Sequence, residues 1–362
     1  MGIQEHEVYS DVHLGPDCFD TLNEFLLRSH QASKKFILVD SNTNKICLPL
    51  LLEKVSKKFI FEIIEIQPGD DNKNIENSIY IWEKLTRANV DKESVLISLG
   101  GGMVGDVGGF VASTILRGIN HLQIPTTLLS MVDSSCGGKT GINFLGLKNQ
   151  IGSFYHPKAV YINPEFLNTL PLREINSGLA EIAKHGLIAD ENLWISLSTK
   201  ENLQVSDFSV LIKRSVEIKN SFVIKDEKDR GIRHALNFGH TIGHAIESFS
   251  LANHEDAIRH GEAVAMGIIA ESFLSHSILG LSSRQLSEIV KYFSSRYAYL
   301  EMRYDTDALL KYIYQDKKNI NGSLNFSLIP RIGSVQINQN AEEGQVRDVI
   351  DQTMRLFMSP VL

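Results

Sequence analysis

His240 and His244, four residues apart in the stretch 233–244 (RHALNFGHTIGH), have a spacing that could do chemistry. On a helix, residues four apart face the same way, so both imidazoles can converge on one point. Two histidines on one helical face, completed by a distant carboxylate, are a recurrent zinc arrangement. A hydrogen-bonded pair of core histidines is the alternative. Two further stretches weigh against it. In IRHGEAVAMG, His260 opens another apolar helical pattern. In SGLAEIAKHG, Glu181 and Lys184 stand one turn apart on a helix of small residues, where a core would prefer leucine. A carboxylate with imidazoles suits Zn²⁺, with water or a substrate oxygen filling the open positions.

A second group of residues points to phosphate. SLGGGMVGDVGGF follows a strand-like run, and Gly100, Gly102 and Gly105 fit GxGxxG, with Asp106 leading into a helix. Such glycines let the backbone approach a pyrophosphate at a helix N-terminus. The ribose-binding acid usual some twenty residues on is missing, since no Asp or Glu lies between Asp106 and Asp133. Asp40 ends an earlier strand instead, so a dinucleotide site assembled from several strand ends is expected. The stretch 125–152 (PTTLLSMVDSSCGGKTGINFLGLKNQIG) is dense in hydroxyls, glycines and lysines. Thr126 and Thr127 sit just past a strand, and Asp133, Lys139, Lys148 and Asn149 could orient a charged, polyhydroxylated ligand. The competing reading is a long solvated loop, although structureless stretches of this length usually have a function.

These groups need a scaffold. KFILVD (35–40), FIFEIIEI (59–66), SVLISLG (94–100) and HLQIPTT (121–127) read as strands. Residues 74–89 have helical spacing, with Ile75, Ile79, Trp82 and Leu85 on one side. Strand and helix in alternation predict a parallel α/β layer. After about Pro171 the pattern becomes helical, apart from an extended piece at 324–337. The chain is long for one core, so two domains are expected, 1–170 and 171–362, with the break near NTLPLRE (168–174).

Composition narrows the partners. With 43% hydrophobic and 22% charged residues, the chain resembles an ordinary soluble globular protein. A net charge of −7 without a basic block argues against nucleic acid. Three widely spaced cysteines build neither a disulfide framework nor a CxxC site, as expected for a reducing cytoplasm. The N-terminal stretch lacks the pattern of a signal peptide, and no apolar run of membrane-spanning length is expected.

Taken together, LGGGMVGDVGGF, RGI…QIPTTLLSMVDSSCGGKTGIN, LKNQIGSF, LPLREINSGLAEIAKHG, RHALNFGHTIGHAIE and HGEAVAMG resemble the 3-dehydroquinate synthases of the sugar phosphate cyclase superfamily, from about residue 36 to about residue 330. The resemblance implies an N-terminal Rossmann-like nucleotide-binding α/β domain and a C-terminal, mainly α-helical, metal- and substrate-binding domain. It implies conversion of 3-deoxy-D-arabino-heptulosonate 7-phosphate to 3-dehydroquinate and phosphate, a lyase reaction of the shikimate pathway towards chorismate and the aromatic amino acids. NAD is a recycled cofactor in that family, and Zn²⁺ or Co²⁺ the metal.

Position by position, the resemblance implies metal ligation by Glu181, His240 and His260, which moves His244 from ligand to substrate-contacting group. NAD contacts correspond to Asp40, Asn42, Asp70, Lys73, Gly102, Met103, Val104, Gly105, Asp106, Thr126, Thr127, Lys139, Lys148, Phe166, Leu167, Asn168 and Thr169. Substrate contacts correspond to Arg117, Asp133, Lys139, Asn149, Lys184, Lys219, Arg233, Asn237, His244 and Lys318. A homodimer is also implied. Asp70 stands where Glu is usual, Met103 and Leu147 replace commoner Val and Gly, and His185 replaces Tyr; none of these removes a charged catalytic group. Rival readings are a cyclase acting on another sugar phosphate, a metal-dependent polyol dehydrogenase, and a non-catalytic binding protein. Arg233, Asn237 and the intact GHTIGHAIE favour a carboxylate-bearing substrate over the first, and the dehydrogenases' usual GGGS turn is absent.

Overall fold

The structure, a computed structural model, describes residues 10–145, 147–200, 203–300, 304–315 and 324–357. The chain divides into two compact units, one made of Met1–Pro171 with Gln204–Val216, the other of Leu172–Leu203 with Glu217–Leu362.

The first unit runs β1 (Asp11–Leu14), α1 (Cys18–Ser29), β2 (Lys35–Asp40), α2 (Ser41–Ile46), α3 (Leu48–Lys54), β3 (Phe61–Ile66), α4 (Ile75–Arg87), β4 (Val95–Gly100), α5 (Gly102–Thr114), β5 (Asn120–Pro125), β6 (Lys139–Phe144), β7 (Leu147–Phe154) and β8 (Ala159–Ile162). Six strands form a sheet in the order β1-β8-β5-β4-β2-β3, and every neighbouring pair is parallel. Strands β2 and β4 are buried along their whole length, which explains their unbroken apolar runs. The strand order reverses between β2 and β4, so Asp40 and the glycine turn after Gly100 end neighbouring strands at the switch point, where open α/β sheets bind ligands. Two of the strand ends expected to build a dinucleotide site are thus neighbours.

Three details differ from expectation. On α4 the buried residues are Ser78, Ile81 and Leu85, while Ile79 is exposed; the inward stripe is rotated from the one expected. The 125–152 stretch is not a plain loop. It contains a single π-helical turn, Ser130–Ser134, and the antiparallel β6–β7 hairpin. Most β7 side chains are exposed, so the hairpin lacks the apolar alternation that marks a half-buried strand. The short strands β1 and β8 were not anticipated.

The second unit holds α6 (Leu172–Ala189), α7 (Glu191–Ser198), α8 (Val205–Lys225, whose first part belongs to the other unit), α9 (His240–Asn253), α10 (His260–Leu279), α11 (Ser283–Arg296), α12 (Thr306–Gln315), the hairpin β9 (Leu324–Arg331) and β10 (Ser334–Ala341), and α13 (Glu343–Met354). The α10 helix lies at its centre, packed against α6, α9, α11, α13 and β9. It is accordingly apolar on all sides. By length and composition alone it could cross a membrane, yet 72% of that window is buried inside the protein, as in a core helix.

Candidate active site

Helices α6, α9 and α10 carry Glu181, His240 with His244, and His260. His240 and His260 are each the first residue of their helix. Glu181 is fully buried, and its Oε1 lies 3.3 Å from His240 Nε2 and 3.6 Å from His260 Nε2. The ring of His244 stands beside both, with centroids 5.2 Å from His240 and 5.8 Å from His260. The donor nitrogens of the three histidines lie within 4.8 Å of one another.

The outer nitrogens tie the rings in place. His240 Nδ1 lies 3.1 Å from the carbonyl of Phe238, which can only accept, so Nδ1 carries a proton, and Nε2 is the nitrogen that faces Glu181. His260 Nδ1 makes the same kind of contact with Glu247 Oε2 at 3.2 Å. Imidazoles tied at one nitrogen and aimed by the other at a shared carboxylate form a metal-site pattern. Both Glu181 oxygens are buried without a partner in hydrogen-bonding geometry, although Lys184 Nζ pairs electrostatically with Oε2 at 2.5 Å. Orphaned buried oxygens and convergent nitrogens fit a divalent cation.

The electrostatics agree. Burial pushes the Glu181 carboxyl up, but Lys184 and His240 outweigh it and hold the group well below the usual carboxylate range. Burial depresses His240. It would also depress His260, yet Glu247 and Glu181 drive that imidazole up to about 10. Positive charge is thus favoured at His260 and disfavoured at His240.

Other expected substrate groups of this unit lie on adjoining elements. Lys184 and Lys219 are buried on α6 and α8. Arg233 is buried in the short helix Ile232–Asn237 that leads into α9, and its Nη1 donates to the Glu227 carbonyl at 2.8 Å. Asn237 ends that helix. Lys318 lies outside the described residues.

In the first unit, Gly102 to Asp106 form the first turn of α5, whose N-cap Gly101 contributes no side-chain cap. Thr126 and Thr127 follow β5, and the Thr126 amide donates to the Gly100 carbonyl at 3.0 Å. Asp40 Oδ1 accepts from the Asn42 and Thr43 amides at 2.9 and 2.8 Å, capping α2. Buried Lys73 bonds Asp106 Oδ2 at 2.5 Å and also Asn149 Oδ1. Lys148 pairs with Asp70 at 3.5 Å, so the hairpin is tied to segment 70–73. Asn149, expected at the substrate, accepts from Lys73 through Oδ1. Lys139 opens β6 and is exposed, and Asp133 lies in the π turn. Phe166 and Leu167 are buried in the short helix Pro164–Thr169, which leaves their backbone and the exposed Asn168 and Thr169 for contact.

Arg117 is placed elsewhere. It follows α5, which returns from the C-terminal to the N-terminal edge of the parallel sheet, and so lies just before β5 begins. Leu116 and Arg117 both adopt positive φ, 49° and 60°, a costly backbone for residues with side chains.

Residues missed by sequence reading include Glu247, which sits seven positions after His240 on the same face of α9. Another is Glu262, fully buried, which receives Arg173 Nε and Nη2 at 2.7 and 2.9 Å.

A parallel six-stranded sheet in one unit and a buried carboxylate–histidine cluster in the other define a fold shared with solved NAD- and metal-binding enzymes. A solved 2-deoxy-scyllo-inosose synthase complexed with carbaglucose-6-phosphate, NAD⁺ and Co²⁺ matches at TM-score 0.83 and 21% identity, covering 95% of this chain and 98% of its own. The 2-epi-5-epi-valiolone synthase of Streptomyces hygroscopicus, with NAD⁺ and Zn²⁺ bound, matches at TM-score 0.83 and 22% identity, over 98% and 99%. Family models for the 3-dehydroquinate synthase N-terminal and C-terminal regions match residues 63–177 and 178–319. A 3-dehydroquinate synthase of Parabacteroides distasonis is 42% identical over 339 residues, covering 92% of this chain and 96% of the relative. The chain belongs to the 3-dehydroquinate synthase family.

Proposed function

We propose that the protein is a 3-dehydroquinate synthase, a lyase converting 3-deoxy-D-arabino-heptulosonate 7-phosphate to 3-dehydroquinate and phosphate with recycled NAD and a divalent cation, Zn²⁺ or Co²⁺. The observation that carries the reading is the meeting of Glu181, His240 and His260 in a chain whose relatives bear that name. Bound at these residues, the cation would acidify substrate hydroxyls, while NAD would serve as a reversible hydride carrier.

The protein's own groups do the rest. Glu181, His240 and His260 hold the cation; His244, beside them, hydrogen-bonds substrate. Lys184 pins the Glu181 carboxylate and adds positive charge. Lys219 and Arg233, both buried, offer charge-assisted hydrogen bonds to an anionic sugar phosphate, with Asn237 beside Arg233 in sequence. The α5 N-terminus with Gly102 to Asp106 receives the pyrophosphate of NAD, supported by Thr126, Thr127 and Lys73. Cys18, Cys47 and Cys136 are buried and not joined in disulfides, which suits a reducing cytoplasm. The position of Arg117, at the sheet edge opposite the switch point of its own unit, supports a homodimer in which this arginine serves a second copy.

The test is to incubate purified protein with the heptulosonate phosphate, Zn²⁺ and a small amount of NAD⁺, and to follow phosphate. Many phosphates released per NAD⁺, without lasting NADH, is the expected result. Stoichiometric NADH would identify a dehydrogenase, and release only from a carboxylate-free sugar phosphate would identify another cyclase.

A further inference from the structure

We propose that Glu271 is a positioning residue for the metal centre: its carboxyl group closes the first turn of α9 from the neighbouring helix and so sets His240 relative to His260. The inference rests on the metal reading above and extends it to a residue remote from the ligands in sequence.

A helix begins with amide groups that lack intrahelical acceptors. Usually a Ser, Thr, Asp or Asn at the N-cap takes the amide of the third helical residue, and that residue's side chain reaches back to the N-cap amide. At the start of α9 the N-cap is Gly239, at φ 79°, and no side chain of its own caps the turn. Both donors of the box are nevertheless satisfied. Glu271 Oε2 accepts from the Gly239 amide at 2.6 Å, and Oε1 accepts from the Ile242 amide at 3.1 Å. One carboxyl group on α10 therefore does the work of two local side chains.

The packing explains why the cap comes from outside. A Cβ on Gly267 would meet the Gly239 carbonyl oxygen at 2.0 Å, and one on Gly239 would meet Ile268 Cγ1 at 2.4 Å. Main chain touches main chain there. Glu271 itself is fully buried within the apolar run AVAMGIIAESFL. Burying a carboxyl is costly, and an apolar side chain would ordinarily serve packing better. What it supplies is register: α10 begins at His260, α9 begins at His240, and Glu271 locks the start of one to the body of the other.

The experiment compares the full-length protein with E271Q, E271D and a neighbouring control, S272A, whose buried hydroxyl donates to the Ile268 carbonyl on the same helix. Zinc affinity is read by chelator competition, geometry by the visible spectrum of the Co²⁺-loaded protein, and integrity by NAD binding and by melting of the metal-free form. E271Q turns one acceptor into a donor facing an amide. It should bind zinc about ten- to a hundredfold more weakly and shift the cobalt spectrum, with NAD affinity unchanged. S272A should keep both metal readouts even if it melts earlier. Should E271Q not fold, E271D carries the same test, since its shorter reach loses at least one amide. Zinc affinity and cobalt spectrum unchanged in the Glu271 variants would overturn the inference, whatever the melting temperature does. A wild-type protein that binds no zinc would overturn the metal reading itself.

Discussion

Replacing different members of the histidine cluster should have different consequences. Glu181 faces both Nε2 atoms, so Glu181→Gln, which removes its charge, should raise the zinc dissociation constant at least about a hundredfold, about 3 kcal/mol. Equilibrium dialysis against a zinc buffer measures this. His244→Asn should slow turnover while zinc remains bound; loss of zinc from this variant would move His244 among the ligands. Glu181, His240, His244 and His260 stood out in the sequence because each is an ionisable group in a small-residue or apolar helix, and the resemblance, not their spacing, singled out Glu181, His240 and His260 as ligands. Their supporting carboxylates did not stand out. Glu247, Glu262 and Glu271 look in sequence like ordinary helical acids, and their roles depend on which amide, ring or guanidinium lies opposite in three dimensions.

Elements fix these residues through close packing and buried polar pairs. A Cβ on Gly261 would meet the Ser177 carbonyl oxygen at 2.1 Å. Gly261→Ala should therefore prise α10 from α6, destabilise the fold by about 1–3 kcal/mol and weaken zinc binding, as urea titration and dialysis would report. In the sheet, His121 on β5 is fully buried, with Nε2 3.0 Å from Ser98 Oγ, and burial pushes it down to about 3. The folded state then refuses a proton that the unfolded chain takes up below its ordinary value of 6.5. Its contribution is complete above pH 6.5 and is lost as pH falls towards 3, at up to about 1.4 kcal/mol per pH unit. Urea midpoints at pH 7 and pH 5.5 should thus separate more in the wild type than in His121→Gln. At this scale the fully buried strands and the long helices were legible, because burial writes continuous or periodic apolar patterns. The β6–β7 hairpin was hidden because β7 is mostly exposed and carries no such pattern.

For the whole molecule, the most consequential contacts link segments far apart in sequence. Arg173, at the start of α6, grips Glu262 with two nitrogens and also reaches Asp256 at 3.0 Å. Arg173→Met would leave a buried carboxylate without its fork and should cost about 3–5 kcal/mol, seen in denaturant unfolding. The edges of the nucleotide sheet are one strand apart, roughly 20 Å for six residues, so Arg117 is far from the switch point of its own unit. Co-expressed Arg117→Ala and Lys184→Ala chains should then recover part of the activity each lacks alone, provided light scattering finds a dimer. The direct contact of α9 and α10 at Gly239 and Gly267 also limits redesign. An engineer seeking to admit a larger ion would find nothing to trim between the two helices, because the gap is already only backbone wide. If a cation sits at the proposed ligands, the separation of His240 and His260 is thus held by main chain, with no side chain there to shorten.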